Sequence, residues 1–276
     1  MKKIAALFLA LFIFSFFSTL ASSDEAGKIH FINVGEGDSI LLEIQGKSAL
    51  IDTGNLISGP RLVKYLKEKG VEKLDYLIIT HPHPDHIGGV FFILPMLKVE
   101  KIYDNGQDLG GVRKTCAIYR WYEDLVRKRK NYAVLISGDS LSLGSLTLEV
   151  LWPPEPPTSS DFNAFSLVIV VSHDSFSCLL TGDLTAPGER ELLKRGVSLK
   201  ADVLKVGHHG AEDATSEEFL EAVSPGIAVV SVDKDDFWGY PSARVLERLK
   251  KAGVKVYRTD RDGDIVLSIP VAESWE

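Results

Sequence analysis

Apolar and polar positions divide the chain into one long charge-free run, many short apolar runs bounded by turn residues, and a few segments with helical spacing. The long run comes first. Residues 4–20 (IAALFLALFIFSFFSTL) follow the basic pair Lys2-Lys3 and precede Ala21-Ser22-Ser23-Asp24. A basic flank, an apolar stretch and a small-residue boundary describe a secretory signal peptide over 1–21, with cleavage expected after Ala21. The same stretch is at the lower edge of what spans a bilayer, so an uncleaved N-terminal anchor is the alternative. Both readings imply an extracytoplasmic protein, secreted or attached to the envelope, with 22–276 as one domain.

Beyond the leader, β-like runs at Ile29–Val34, Ser39–Ile44 and Ser48–Asp52 are separated by Gly35-Glu-Gly-Asp38 and Gln45-Gly-Lys47, the spacing of a meander. A helix is predicted over Pro60–Lys69. Ser58 is its N-cap, Pro60 sits in the first turn, Leu62, Val63 and Leu66 share a face, and Gly70 is the stop. Leu74–Thr80 reads as a buried strand. The second half repeats the alternation, with strands near Leu146–Leu151, Ser166–Val171, Ser177–Thr181, Val203–Val206, Ile227–Val232, Val256–Arg258 and Ile265–Ile269. Helices fall near Pro187–Arg195, Ser216–Val223 and Ser242–Ala252. Such halves predict an α+β fold of two sheets packed face to face with helices outside. The Pro-rich stretch from Trp152 to Ser160 reads as a stiff surface loop.

Composition narrows the picture. Of 276 residues, 45% are hydrophobic and 25% charged, with 2 Cys, which excludes collagen-like, low-complexity and disulfide-framework classes. Cys178 lies in the apolar run FSCLLTGD and is expected to be a reduced core thiol; a Cys116–Cys178 disulfide is the alternative. Removing Lys2 and Lys3 with the leader takes the net charge from −7 to −9. An acidic chain is a poor general sink for nucleic acid or anionic membrane unless a local stripe reverses the sign. One stretch has that sign: Arg113, Lys114, Arg120, Arg127, Lys128, Arg129 and Lys130, interleaved with Tyr119, Trp121 and Tyr122. A solvated helix face is the ordinary reading. Cations beside aromatics also suit stacked bases and phosphates.

The strongest chemical signal is His81-Pro-His83-Pro-Asp85-His86, directly after the apolar run Leu77–Thr80. It gathers three of the seven histidines at a strand end, where the chain can turn and let side chains converge. Imidazole with carboxylate suits zinc, iron or manganese. The two prolines fix their own φ and hold the residues before them extended. By contrast, the Gly-x-Gly at 35–37 lies between two strands and precedes no helix, so it is a turn and no dinucleotide site. His30 and His173 read as structural and turn residues respectively.

With Ile51-Asp52-Thr53-Gly54 before it, and Thr181-Gly182-Asp183 and Gly207-His208-His209-Gly210 after it, this motif resembles the metallo-β-lactamase superfamily. Within that superfamily, Phe31–Asp38, Leu151-Trp-Pro-Pro154, Ala201–Gly210 and Tyr240-Pro-Ser242 with Val256–Gly263 are similar to the hydrolase domain of ComEC-type DNA-uptake proteins. The resemblance covers essentially all of 28–269 and implies a four-layer αββα metallo-β-lactamase-like sandwich holding two divalent metal ions, zinc or manganese. His81 and His83 would bind the first, Asp85 and His86 the second, and Asp183 would bridge both. His208 is the preferred remaining ligand of the second metal and His209 the substitute, since adjacent residues on a strand end point opposite ways. Asp52 would stand behind the ligands and fix a histidine's orientation.

Two departures matter. The superfamily usually supplies a third histidine to the first metal, where this chain has Asn163-Ala-Phe-Ser166; the first site is therefore expected to be weak, or completed by Asn163 and water. Tyr240 stands where relatives often have histidine, and could still donate a hydrogen bond. Two cations sharing a water would deliver hydroxide near neutral pH, with Asp85 or Asp183 taking the proton. The resemblance thus implies an exported phosphodiesterase or nuclease, with single-stranded DNA or another phosphodiester as its partner. The alternatives are a small-molecule ester, lactone or β-lactam hydrolase, and a non-catalytic DNA-capture module of the envelope. Membrane attachment follows only if the N-terminal segment is uncleaved.

Overall fold

The computed structural model describes residues 25–271, so the leader expected over 1–21 lies outside the described residues. In chain order the strands are β1 (Glu25–Phe31), β2 (Ile40–Ile44), β3 (Lys47–Ile51), β4 (Lys73–Ile78), β5 (Lys98–Asp104), β6 (Tyr132–Val134) and β7 (Ser140–Leu143). They continue as β8 (Leu146–Trp152), β9 (Val168–His173), β10 (Phe176–Leu180), β11 (Val203–Lys205), β12 (Ile227–Val230), β13 (Lys255–Arg258) and β14 (Ile265–Pro270). Between them stand α1 (Gly59–Glu68), α2 (Pro84–Ile87), α3 (Val90–Met96), α4 (Val112–Thr115), α5 (Ala117–Tyr122), α6 (Ala186–Lys194), α7 (Glu217–Val223), α8 (Ala243–Lys251) and α9 (Thr259–Asp262).

Two seven-stranded sheets form, ordered β14-β1-β2-β3-β4-β5-β6 and β13-β12-β11-β10-β9-β8-β7. Successive side chains on a strand face opposite ways, so a strand covered on both faces must be apolar at neighbouring positions. Leu41 and Leu42, or Leu50 and Ile51, meet that requirement. Leu42 and Ile51 pack between the sheets with Ile29, Ile169 and Leu180. Leu41 and Leu50 face outward onto Leu62 and Leu66 of α1 and Ile93 of α3. On the other outer face, Leu204 and Val230 meet Leu192 of α6, Phe219 of α7 and Leu249 of α8. The result is the expected four-layer α+β sandwich.

Topology decides where chemistry can sit. Strands β3 to β6 run parallel, as do β10 to β13. Ligand-binding groups in open parallel sheets gather beyond the carboxyl ends of the strands. Here Asp52 follows β3, His81 follows β4, Asp183 follows β10, and the histidine pair follows β11.

Local details depart from the sequence reading. Ser58 precedes α1 but does not cap it: its φ/ψ are helical and its Oγ donates to the Asn55 carbonyl at 2.9 Å. Strands β5 and β7 fill stretches that the spacing leaves unassigned. Cys178 is buried, Cys116 is exposed, and both are free. Among the described residues, no helix is long and apolar enough to cross a membrane.

The described cations between Lys114 and Lys130 divide between core and solvent. Arg127 pairs with the buried Asp104 carboxylate at 2.8 Å, which also accepts from the Tyr122 hydroxyl at 3.0 Å and the Tyr132 hydroxyl at 2.6 Å. Tyr119 and Tyr122 are buried in the outer core. Of the three interleaved aromatics only Trp121 is exposed, edge-on to Phe91 with centroids 6.2 Å apart. Most of the aromatic surface that suggested stacked bases is therefore core packing.

Candidate metal centre

The turn after β4 delivers His81, His83, Asp85 and His86 to one edge of the sandwich. His83 is the extended residue before α2, held so by Pro84 in the first turn. Thr53, after β3, clasps the motif: its N–H and its hydroxyl both donate to the His86 carbonyl at 2.8 Å. From the other side the Gly35–Asp38 turn closes in. Gly37 has φ +106°, and a Cβ there would collide with the Asp85 carbonyl, so only glycine permits this approach.

Two donor groups result. His81, His83 and Asp183 each offer a ligand atom within 4.8 Å of one another, and so do Asp85, His86, Asp183 and His209. Asp183 belongs to both. Its Oδ2 lies 3.7 Å from His81 Nε2, 3.2 Å from His86 Nε2 and 3.3 Å from His209 Nε2. Asp85 Oδ2 stands 3.6 Å from His86 Nε2 and 3.3 Å from His209 Nε2.

Of the two candidates, His208 and His209, it is the substitute, His209, that faces the carboxylates. Both histidines have positive φ, 45° and 53°, inside a tight turn over Gly207–Gly210, so strand alternation does not govern them. His209 turns inward to the carboxylates. His208 turns to the pocket wall, with Nε2 3.2 Å from Asn163 Nδ2 and its ring 5.4 Å from that of Tyr240. Asn163 itself lines the pocket, and its Oδ1 is buried without a partner.

Hydrogen bonds behind the donors set their tautomers. Asp52 accepts from Thr80 N–H at 2.8 Å, from the Thr80 hydroxyl at 2.7 Å and from His86 Nδ1 at 2.8 Å. His209 Nδ1 donates to the Ser231 carbonyl at 3.0 Å. With each Nδ1 engaged as donor, both Nε2 atoms are the ones left to face Asp183. His81 Nδ1 lies 3.2 Å from the Thr80 hydroxyl, whose hydrogen goes to Asp52, leaving His81 Nε2 to face His83 Nδ1 at 2.9 Å.

Sequence reading passed over two buried charges beside this centre. Lys205, fully buried, places Nζ 2.8 Å from Asp38 Oδ2 and donates to the Val206 carbonyl at 2.8 Å. Asp38 Oδ1 in turn lies 3.7 Å from His209 Nδ1. Asp38 is the last residue of the turn dismissed as a dinucleotide motif, and its signal was a lysine in the middle of the apolar run Val203–Val206.

The electrostatics favour cations. Burial and the neighbouring histidines hold His81 and His83 below the usual imidazole range, the neutral state a ligand needs. Burial opposes the charged form of His209, yet Asp183, Asp85 and Asp38 outweigh it and push its pKa up to about 10. Burial likewise opposes charging of His86, and Asp183, Asp52 and Asp85 carry it well above the ordinary value. Asp183 is held well below the carboxylate range by His209 and His86 in spite of burial. Buried carboxylates in surplus thus retain protons on two histidines that a divalent ion would displace. Among the described residues, His86 Nε2, His209 Nε2 and Asp183 Oδ1 are buried and make no hydrogen bond, a donor set that fits a divalent metal.

Comparisons with known proteins agree with this geometry. The model of the metallo-beta-lactamase superfamily matches residues 32–233. Over 261 residues the chain is 33% identical to ComE operon protein 3 of Bacillus subtilis, covering 87% of this chain and 32% of that protein. Over 233 residues it is 31% identical to competence protein ComA of Neisseria gonorrhoeae, covering 84% and 30% respectively. The chain therefore spans about a third of the length of these ComEC-like competence proteins. Among solved structures, the metallo-beta-lactamase fold protein YhfI of Bacillus subtilis superposes with a TM-score of 0.57 at 15% identity, covering 87% of this chain and 99% of that one. That likeness speaks for the fold alone. Motif order, donor geometry and a family match across most of the sandwich lead to one assignment: the chain belongs to the metallo-β-lactamase superfamily, with ComEC-like competence proteins among its relatives.

Proposed function

We propose that the chain is an exported, metal-dependent phosphodiesterase that cleaves DNA, single-stranded DNA foremost. One observation carries the reading: Asp183 stands in two donor groups at once, with His81 and His83 on one side and Asp85, His86 and His209 on the other. A shared carboxylate between two such groups suits a pair of divalent ions, zinc or manganese. When bound, two such ions lower the pKa of water and spread the negative charge of the attacked phosphate.

The chain's own groups do the rest. Asp52 and the Ser231 carbonyl keep His86 and His209 in the ligating tautomer. Asp85, at the rim of the pocket, is placed to take a proton from the attacking water, with Asp183 the other candidate. Asn163 Oδ1, buried without a partner among the described residues, and solvent would complete the donor set of His81 and His83, so that this site would hold its ion less tightly. The shared carboxylate and the missing third histidine favour phosphodiester over β-lactam or ester hydrolysis. The ComEC-like competence proteins among the relatives support DNA as substrate. Export rests on the charge-free run at 4–20; if that run is retained, the enzyme is tethered to the membrane.

Purified protein with manganese or zinc is expected to cleave single-stranded DNA and bis-(p-nitrophenyl) phosphate, and an Asp85→Ala, His86→Ala variant to lose both activities. Intact substrates, or equal turnover by the variant, would overturn the proposal. Binding of DNA without turnover, at under one equivalent of metal, would point to the capture module instead.

A further inference from the structure

The loop after β12 forms one wall of the metal pocket and carries two aromatic side chains in water. Trp238 is 65% exposed and Phe237 88%, their ring centroids 5.3 Å apart. Adjacent exposed aromatics at the mouth of a functional cavity mark a binding surface more often than a packing accident. The loop is folded to present them: the Asp236 carboxylate accepts from Trp238 N–H at 3.1 Å and from Tyr240 N–H at 2.9 Å. Trp238 lines the same cavity, about 340 Å³, as Asp85, Asp183 and His209.

The surroundings of the indole restrict what it can meet. Glu36, Asp233 and Asp236 also line the cavity, so that rim repels phosphate groups. An uncharged ring escapes that repulsion. The cavity has the volume of a small-molecule site and cannot enclose a duplex, whose bases stay inside the helical stack. An unpaired base has a free π-face, and stacking on an indole is tolerant of sequence.

Resting on the phosphodiesterase reading, we propose that Trp238 is the stacking platform for an unpaired base next to the scissile phosphate. The site thereby selects single strands and frayed ends. Phe237 packs edge-on against Trp238.

The test uses the full chain loaded with manganese and three substrates: bis-(p-nitrophenyl) phosphate, an oligothymidylate, and the same strand built from abasic nucleotides. Trp238→Ala is expected to raise KM for oligothymidylate about tenfold, the loss of one stacked base, with kcat falling far less. Trp238→Phe should restore most of that loss. The abasic strand should show the raised KM already in the wild type and respond little to either variant. Quenching of tryptophan fluorescence by thymidine monophosphate, absent with deoxyribose 5-phosphate and lost in Trp238→Ala, gives a readout independent of turnover. Equal KM values for the two strands in the wild type, or an unchanged KM in Trp238→Ala, would overturn the inference. So would a dimer that Trp238→Ala converts to monomer, since the aromatics would then cover a second copy. If the wild type leaves all three substrates intact, the phosphodiesterase reading fails, and the quenching experiment still decides the stacking claim.

Discussion

One buried carboxylate, Asp52, holds three groups that belong to different parts of the motif: the Thr80 backbone, the Thr80 hydroxyl and the His86 ring. It has φ +58°, an uncommon conformation for a side-chain-bearing residue, and the turn it makes aims the carboxylate back at the centre. Asp52→Asn keeps the shape but removes one acceptor and frees the His86 tautomer. Metal affinity is expected to fall about 10- to 100-fold with the fold retained, as read by competition with a chromophoric chelator. Unchanged affinity would mean the orientation is set elsewhere. Protons report on the same residues. Without metal, Asp183, Asp85 and Asp38 overcome the burial of His209 and push its pKa up to about 10, against an ordinary 6.5, and His86 is raised as well. The raised His209 pKa therefore stabilises the metal-free fold fully below 6.5, and that contribution is lost as pH rises through about 10. Metal must displace these protons. Binding at pH 7.5 is expected to release at least one proton per ion at the Asp85–His209 site, with affinity rising toward pH 10; calorimetry in buffers of different ionisation enthalpy measures this, and zero release contradicts it.

At the scale of elements, legibility followed exposure. Strands β9 and β12 and the carboxyl-terminal ends of β3, β4 and β10 are buried at successive positions and read as apolar runs. Strand β5 alternates lysine and glutamate with Val99 and Ile102, and β7 is a short strand at a sheet edge, so neither periodicity nor length announces them. The orientation of the histidine pair was hard to read for a related reason: the sequence shows a strand ending in Gly-His-His-Gly, while the two left-handed residues that rotate His209 inward are a property of the turn. Helix starts divide similarly. Ser216 accepts from Phe219 N–H at the start of α7, whereas the Ser58 hydroxyl donates away from α1. Ser216→Ala is expected to cost about 1 kcal/mol in urea unfolding and Ser58→Ala distinctly less. Equal losses would show that the two serines act alike.

For the whole molecule, the decisive property is that the carboxyl ends of parallel strands from both sheets arrive at one edge. The first sheet brings Asp52, His81, His83, Asp85 and His86; the second brings Asp183 and His209. The sandwich must fold before either donor group exists, and the Lys205–Asp38 pair ties a strand of one sheet to a turn of the other beneath them. Most of this was present in the motifs, because each motif ends a strand. What no single motif could reveal is which histidine of the pair reaches the shared carboxylate, and that choice is the most exposed point of the account. Metal content after manganese loading and dialysis, measured by mass spectrometry on wild type, His209→Ala and His208→Ala, decides it directly. The account predicts up to two equivalents in the wild type, loss of the tighter one in His209→Ala, and wild-type content in His208→Ala. Loss in His208→Ala with full retention in His209→Ala would contradict it.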